Sequence, residues 1–220
     1  MTVALPITTV VMLAKAPVPG LAKTRLCPPC THTAAAAVAD ASLRDTADVI
    51  EARGGPRLLS LDRCGTTFTL QCWPVVEQCD GGLAQRLDHT FRLAFADPIA
   101  AQRVFLVGMD TPQITLEHLL AAEAALDDAD VVLGPAADGG YWGIGTNRYV
   151  HKLFDDVAMS TAHTFDAQLA QAASLGQKVA TLGVLRDIDA FDDAVEIGNT
   201  LPDSRVGRLV ATDQWWTQSG

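Results

Sequence analysis

Three cations, Lys15, Lys23 and Arg25, stand together in the stretch Lys15-Ala16-Pro17-Val18-Pro19-Gly20-Leu21-Ala22-Lys23-Thr24-Arg25-Leu26. The chain around them is acidic, with a formal net charge of −10. Ammonium and guanidinium groups neutralise oxyanions, and arginine does so with a bidentate fork. Gly20 permits a tight turn and close approach of backbone to a ligand. The chemistry this loop suits is the holding of phosphates.

A second group of residues suits a hard divalent cation. Asp110 stands in Gly108-Met109-Asp110-Thr111-Pro112, and Asp187 and Asp189 in Arg186-Asp187-Ile188-Asp189. Carboxylate oxygens together with substrate phosphates are what Mg²⁺ or Mn²⁺ takes, rather than a closed protein cage. Each aspartate alone has an ordinary alternative: Asp110 as turn chemistry before a proline, Asp187 and Asp189 as caps of the helix that follows. A third stretch, Gly134-Pro135-Ala136-Ala137-Asp138-Gly139-Gly140-Tyr141-Trp142, offers backbone approach at Gly139 and Gly140. Tyr141 or Trp142 would stack on a base or wall the pocket, with Asp138 beside them. Its ordinary alternative is a hairpin turn.

These residues need a scaffold that brings strand ends together. Thr8–Ala14 reads as a buried strand, and Thr33–Arg53 as an alanine-rich helix with Thr31 or Thr33 as its cap and Gly54-Gly55-Pro56 as its end. Arg57–Leu61 and Thr67–Trp73 read as short strands, Gly82–Ala96 as a helix, Arg103–Gly108 as a buried strand and Thr115–Asp127 as a helix. Asp130–Leu133 and Tyr141–Gly145 read as strands, Thr161–Leu175 as a helix, Lys178–Leu185 as a strand and Asp189–Gly198 as a last short helix. Apolar strands alternating with helices predict an α/β fold: one mostly parallel central sheet with helices on both faces. Ligands collect at the carboxyl ends of such strands. The loop at 15–26, Asp110, the Gly-Gly turn and the Asp-x-Asp each follow a strand.

The acidic balance argues against non-specific nucleic-acid and anionic-membrane binding, which need a basic surface. The apolar run Val3–Ala14 is read as a strand rather than a signal segment, which implies a cytoplasmic protein. Of five cysteines, Cys27 and Cys30 form a Cys-Pro-Pro-Cys pair. Inert thiols are the first reading, with a redox pair or a metal site as alternatives. Five scattered histidines suggest no metal set. Trp215-Trp216 would dock on the chain's own body or, in a homodimer, on a second subunit.

With these residues assembled, the chain resembles the bacterial GT-A-fold transferases of the domain-of-unknown-function 2064 type. The likeness runs through Val11–Leu26, Gln78–Phe95, Val104–Pro112, Asp130–Gly145 and Phe154–Ile188. The family is labelled glycosyltransferase or nucleotide-diphospho-sugar transferase. It is similar in turn to phospholactate/phosphoenolpyruvate guanylyltransferases and molybdopterin nucleotidyltransferases. The resemblance implies a single Rossmann-like GT-A domain over residues 1–200 with a C-terminal tail over 201–220.

It implies further that Lys15, Pro17, Gly20, Lys23, Thr24 and Arg25 take the nucleotide phosphates. Gly82, Leu83 and Arg86 would lie by the nucleotide at the start of a helix. Asp110, Asp187 and Asp189 would be the metal ligands, and Lys23, Arg25 and Asp110 the catalytic groups. Asp138, Tyr141, Trp142, Ser160 and Thr161 would face the acceptor. Ala84, Met109 and Met159 depart from the residues usual in the family.

The expected activity is metal-dependent transfer of a nucleotidyl group from a nucleoside triphosphate to a small phosphorylated acceptor. Glycosyl transfer from a nucleotide-sugar is the alternative, and a non-catalytic nucleotide- or partner-binding module a third reading.

Overall fold

The computed structural model describes residues 7–96 and 98–217. Val3–Pro6 of the first apolar run therefore lie outside the described residues. The strands are β1 (Thr8–Lys15), β2 (Arg57–Asp62), β3 (Val75–Glu77), β4 (Arg103–Gly108), β5 (Val131–Pro135), β6 (Tyr141–Thr146) and β7 (Val179–Thr181). They form one sheet in the order β3-β2-β1-β4-β6-β5-β7. Only β6 runs antiparallel to its neighbours, β4 and β5; the other pairings are parallel. The helices are α1 (His32–Arg53), α2 (Leu83–Phe95), α3 (Leu116–Asp128), α4 (Thr164–Ser174), α5 (Phe191–Thr200) and α6 (Arg205–Val210).

The central strand explains the layering. Successive side chains of a strand point to opposite faces. Val10 and Met12 of β1 pack with Ala39, Leu43 and Ala47 of α1 and with Leu119 and Ala122 of α3. Val11 joins Leu87 and Phe91 of α2 and Ala172 of α4 on the other face. Both faces of β1 are covered, which is why it reads as a continuous apolar run. Alanines along α1 let it lie close to the sheet, and Thr31 caps it by accepting the Ala34 amide at 3.1 Å.

Two strand expectations need correction. Thr67–Trp73 is irregular; its apolar residues Leu70 and Trp73 are buried without laddering, and Trp73 donates its indole N–H to Glu51 at 2.6 Å. The ladder with β2 is made one step later, by Val75–Glu77. Lys178–Leu185 is not one strand. It pairs with β5 only over Val179–Thr181, and Leu185 then makes an isolated bridge to Ala136.

The last segment folds back onto the N-terminal end of α1. Trp215 is buried, stacked on Phe191 at 5.4 Å, and the Trp216 carbonyl accepts the Thr31 amide at 2.8 Å. Asp45 of α1 accepts the amides of Arg205 and Val206. Among the described residues no helix is long and apolar enough to cross a membrane.

Candidate functional site

Sheet register sets the floor of the site. Lys15 lies beside Asp62, Leu13 beside Gly108, and Leu61 beside Glu77. The chain ends of β1, β2, β3 and β4 therefore leave the sheet together, and a cleft of about 290 Å³ opens over them. Lys15, Lys23, Thr24 and Arg25 line one wall, Gln78 and Arg86 another, and Met109, Asp110 and Asp189 the third.

The cationic loop is shaped by its own backbone. The Leu21 and Ala22 amides both donate to the Val18 carbonyl at 3.0 Å, with Gly20 at φ 78° in the turn. Pro17 and Gly20 shape this loop and do not line the cleft. Lys23 is left-handed, at φ 50° and ψ 37°, a conformation that costs a non-glycine residue about 1 kcal/mol or more. Leu26 anchors the far end in a core with Ile188, Ala194 and Trp215. The Lys23 ammonium reaches Asp110 Oδ1 at 2.8 Å and also donates to the Ile188 carbonyl. Arg25 meets Asp189 at 3.3 Å in an exposed contact, of a kind that adds little stability.

The opposite wall holds a residue that sequence reasoning passed over. Gln78 donates its amide to the carbonyls of Ala14 and Ser60, both at 2.9 Å, and its oxygen faces Arg86 at 3.4 Å. Arg86 stands 3.8 Å from Asp62, and its Nε is buried without a protein partner. Its guanidinium thus lines the cleft with one nitrogen left short of an acceptor. The signal for Gln78 was its place just after a strand, which became readable only once β3 was known to end at Glu77. Met109 is buried, and its sulfur accepts the Lys15 amide at 3.2 Å. Its carbonyl accepts the Ser42 hydroxyl at 2.7 Å.

The carboxylates are divided. Asp110 and Asp189 line the main cleft, while Asp187 and Asp189 line an adjoining pocket with Asp138 and Asp193. Asp189 forms the ridge between them. The Asp-x-Asp segment is laid along 110–111 by two bonds: the Ile188 amide donates to the Asp110 carbonyl at 2.9 Å, and the Thr111 hydroxyl donates to Asp187 at 2.5 Å. Burial pushes the Asp187 carboxyl up to about 6; the Thr111 hydrogen bond opposes this, and the nearby Asp110 and Asp138 charges add to it. Neither Asp187 nor Asp189 caps α5. Asp193 does, accepting the amides of Asp189 and Ala190 at 3.1 and 2.7 Å.

No group of three His, Cys, Asp or Glu side chains among the described residues is set to hold a metal by itself. The donor chemistry nevertheless fits a hard cation. Asp110 and Asp189 are carboxylates facing an open cleft, and Asp187 and Asp138 line the pocket that adjoins it across Asp189.

The glycine-rich turn lies apart from the cleft. Gly139, at φ 88°, presses against the next loop, where an added Cβ would come within 2.1 Å of the Ala162 carbonyl oxygen. The Gly140 amide donates to Asp138 at 2.8 Å, closing the β5–β6 hairpin. Trp142 is buried, donates to the Gly183 carbonyl at 2.9 Å and meets Phe105 and His118 edge-on. It walls no pocket. Tyr141 points its hydroxyl at Gln168 at 3.4 Å, and burial raises its pKa. Ser160 and Thr161 are exposed, with Thr161 taking the His163 amide at 3.2 Å ahead of α4. Gly82 and Leu83 open α2 without lining the cleft, the Gly82 amide donating to Gln85 at 2.9 Å. Cys27 and Cys30 are free thiols, and burial pushes Cys30 up to about 11.

The chain folds as one α/β domain with a seven-stranded, mostly parallel sheet, and the cleft opens over its strand ends. Residues 35–161, more than half of the chain, match the family described as "Uncharacterized protein conserved in bacteria (DUF2064)". The chain belongs to that family. No curated protein matches it.

Among solved structures, a "putative nucleotide-diphospho-sugar transferase" from Desulfovibrio desulfuricans G20 is similar at TM-score 0.81 and 21% identity, over 96% of this chain and 99% of that one. Rv0371c of Mycobacterium tuberculosis H37Rv, solved in complex with manganese, is similar at TM-score 0.53 and 22% identity, over 88% and 98% of the two chains. The 4-diphosphocytidyl-2C-methyl-D-erythritol synthase of Anaerococcus prevotii DSM 20548 is similar at TM-score 0.61 and 11% identity, over 89% and 96%. At these identities the likenesses establish the fold.

Proposed function

We propose that the protein is a nucleotidyltransferase that moves a nucleotidyl group from a nucleoside triphosphate to a small phosphorylated acceptor. The observation that carries this reading is the cleft over the ends of β1 to β4. There Lys15, Lys23, Arg25 and Arg86 surround one volume, and Asp110 and Asp189 face into it. Four cations around two carboxylates suit a polyanion accompanied by a divalent ion better than either alone.

Lys23, Arg25 and Arg86 hold the triphosphate by charge-assisted hydrogen bonds. Gln78 fixes Arg86 by facing it while tied to two strand carbonyls. The Lys15 backbone is set by Met109, leaving its ammonium at the cleft. An oxygen of the acceptor phosphate attacks the α-phosphorus, pyrophosphate leaves, and the cations of the loop stabilise the charge that develops on it. Asp110 and Asp189, with Asp187 behind them, would hold Mg²⁺ or Mn²⁺, which when bound offsets phosphate charge. The manganese complex of Rv0371c supports a divalent ion in this fold.

The experiment is incubation with each nucleoside triphosphate and a pool of phosphorylated acids, read as pyrophosphate release with and without Mn²⁺. Pyrophosphate formed only with an acceptor, and lost in Asp110→Ala, is the expected result. Nucleoside diphosphate released from a nucleotide-sugar instead would replace nucleotidyl with glycosyl transfer. Absence of both would leave a binding module.

A further inference from the structure

Lys23 is held in an unusual way for a phosphate-binding lysine. Its side chain is only 9% exposed, and its ammonium is bonded to two oxygens, Asp110 Oδ1 at 2.8 Å and the Ile188 carbonyl. Those oxygens come from two different segments, the one that follows β4 and the one that leads into α5, and the Ile188 amide is itself bonded to the Asp110 carbonyl. The ammonium thus fills a small oxygen-lined position that joins the 108–112 segment to the Asp187-Ile188-Asp189 segment. It faces the carboxylate best placed to receive a divalent ion. An ammonium on Asp110 Oδ1 repels a divalent ion approaching the same carboxylate and so weakens metal binding there.

We propose that Lys23 is a built-in counter-ion that keeps Asp110 closed to metal until a phosphate draws it away. This rests on the nucleotide-transfer reading above and goes beyond it, because it sets the order in which the site fills. The lysine stem is flexible and its ammonium has three donors, so it can exchange a carboxylate for a phosphate oxygen without moving the loop backbone. Once Lys23 leaves, Asp110 has lost its counter-charge and gains a divalent ion in its place. Phosphate and metal then favour one another's binding by the same factor, as linkage requires. The site would discriminate against metal without nucleotide.

The test is Mn²⁺ binding without nucleotide, followed by the electron paramagnetic resonance signal of the free ion. It compares the wild-type chain with Lys23→Met and Lys23→Gln, each first shown to keep a cooperative melting transition. Both variants should bind Mn²⁺ at least about tenfold more tightly than wild type, a coupling within the usual range between two linked sites. Adding Asp110→Asn to Lys23→Met should abolish the gain. Equal affinity in wild type and both Lys23 variants overturns the proposal, as does a gain that survives Asp110→Asn.

A separate arm titrates the wild type with inorganic tripolyphosphate by calorimetry. Tripolyphosphate binding with no Mn²⁺ gain in the variants leaves the nucleotide reading standing and sinks only the counter-ion. A chain that binds neither tripolyphosphate nor Mn²⁺, in any variant, sinks both.

Discussion

Two stretches of this chain look equally functional as sequence, and the fold uses them in opposite ways. The loop from Lys15 to Leu26 sends Lys23 and Arg25 into a cleft and buries the small Ala16 and Ala22 together with Leu26. The stretch from Gly134 to Trp142 sends its largest side chain into the core and uses its glycines to make room. Gly134 lies under the Trp142 indole, where a Cβ would come within 2.3 Å of the ring, and Gly139 lies against the Ala162 carbonyl. The difference follows from strand direction. β1 runs parallel to its neighbours and ends where the other chain ends gather. β6 is antiparallel, so the turn before it returns the chain at once to a neighbouring strand and leaves only Ala137 and Asp138 at the pocket beside the cleft. A loop after a strand lines the cleft when the chain leaves the sheet there, and its glycines serve packing when it returns at once.

The sharpest way to break this contrast is to truncate the aromatic side of it. Trp142→Ala removes a fully buried indole, its hydrogen bond to Gly183 and its edge contacts with Phe105 and His118. The expected loss is about 3–5 kcal/mol of folding stability by urea denaturation. Tripolyphosphate affinity of the molecules that remain folded should be unchanged. A variant of wild-type stability with weakened binding would put Trp142 back in the site.

How much of this was legible in the sequence depends on where each residue's partner lies. The buried strands β1 and β4 were legible because both their faces are covered, which leaves an apolar run with few other uses. Asp110 and the cationic loop were legible because they directly follow those strands. β3 was misplaced because Thr67–Trp73 has the composition of a strand, yet its hydrophobic side chains are buried through Leu70 and Trp73 rather than by laddering. Gln78 was invisible for the same reason: its value lies in reaching Ala14 and Ser60, far off in sequence. Asp193 was hidden by nearer acids, since only the helix start at Phe191 shows which carboxylate reaches the free amides.

On the cleft side the next effect is on binding. Arg86→Ala removes the guanidinium whose Nε has no protein partner. Tripolyphosphate affinity should fall by roughly 1.5–3 kcal/mol, about ten- to a hundredfold, as for a hydrogen bond to a charged group. Calorimetry reads this directly. Affinity unchanged within a factor of two would remove Arg86 from the phosphate wall.

The carboxylates give a pH signature that the aromatic side lacks. Asp187 has its folded pKa raised to about 6, above the unfolded value of about 3.9. The folded state therefore holds this proton more tightly than the unfolded chain. The resulting stabilisation is complete below about pH 4 and is lost as pH rises through about 6. Its size is about 2 kcal/mol, taking part of the shift as screened by the open pocket beside it. Asp187→Asn, which can still accept from Thr111, should remove this slope and be more stable than wild type at neutral pH. Urea midpoints measured between about pH 4 and pH 7.5 decide it, and parallel curves for the two proteins would refute the assignment.

The smallest stability effect expected belongs to Arg25, and its smallness is informative. Its ion pair among the described residues is a 3.3 Å approach to Asp189, with 73% of the side chain exposed. Exposed pairs of this kind contribute about 0–1 kcal/mol, so Arg25→Ala should melt no more than about 4 °C below wild type. A residue so weakly tied costs little to move, which suits a group that closes on a ligand rather than one that builds the fold. Its effect should appear instead in salt dependence. Removing one cation from the phosphate wall weakens tripolyphosphate binding more at low ionic strength than at high, because added salt screens the exposed charge. If Arg25→Ala weakens binding equally at both ionic strengths, the guanidinium is contributing contact rather than field. If it lowers the melting temperature as Trp142→Ala does, the loop is part of the core and the contrast between the two stretches disappears.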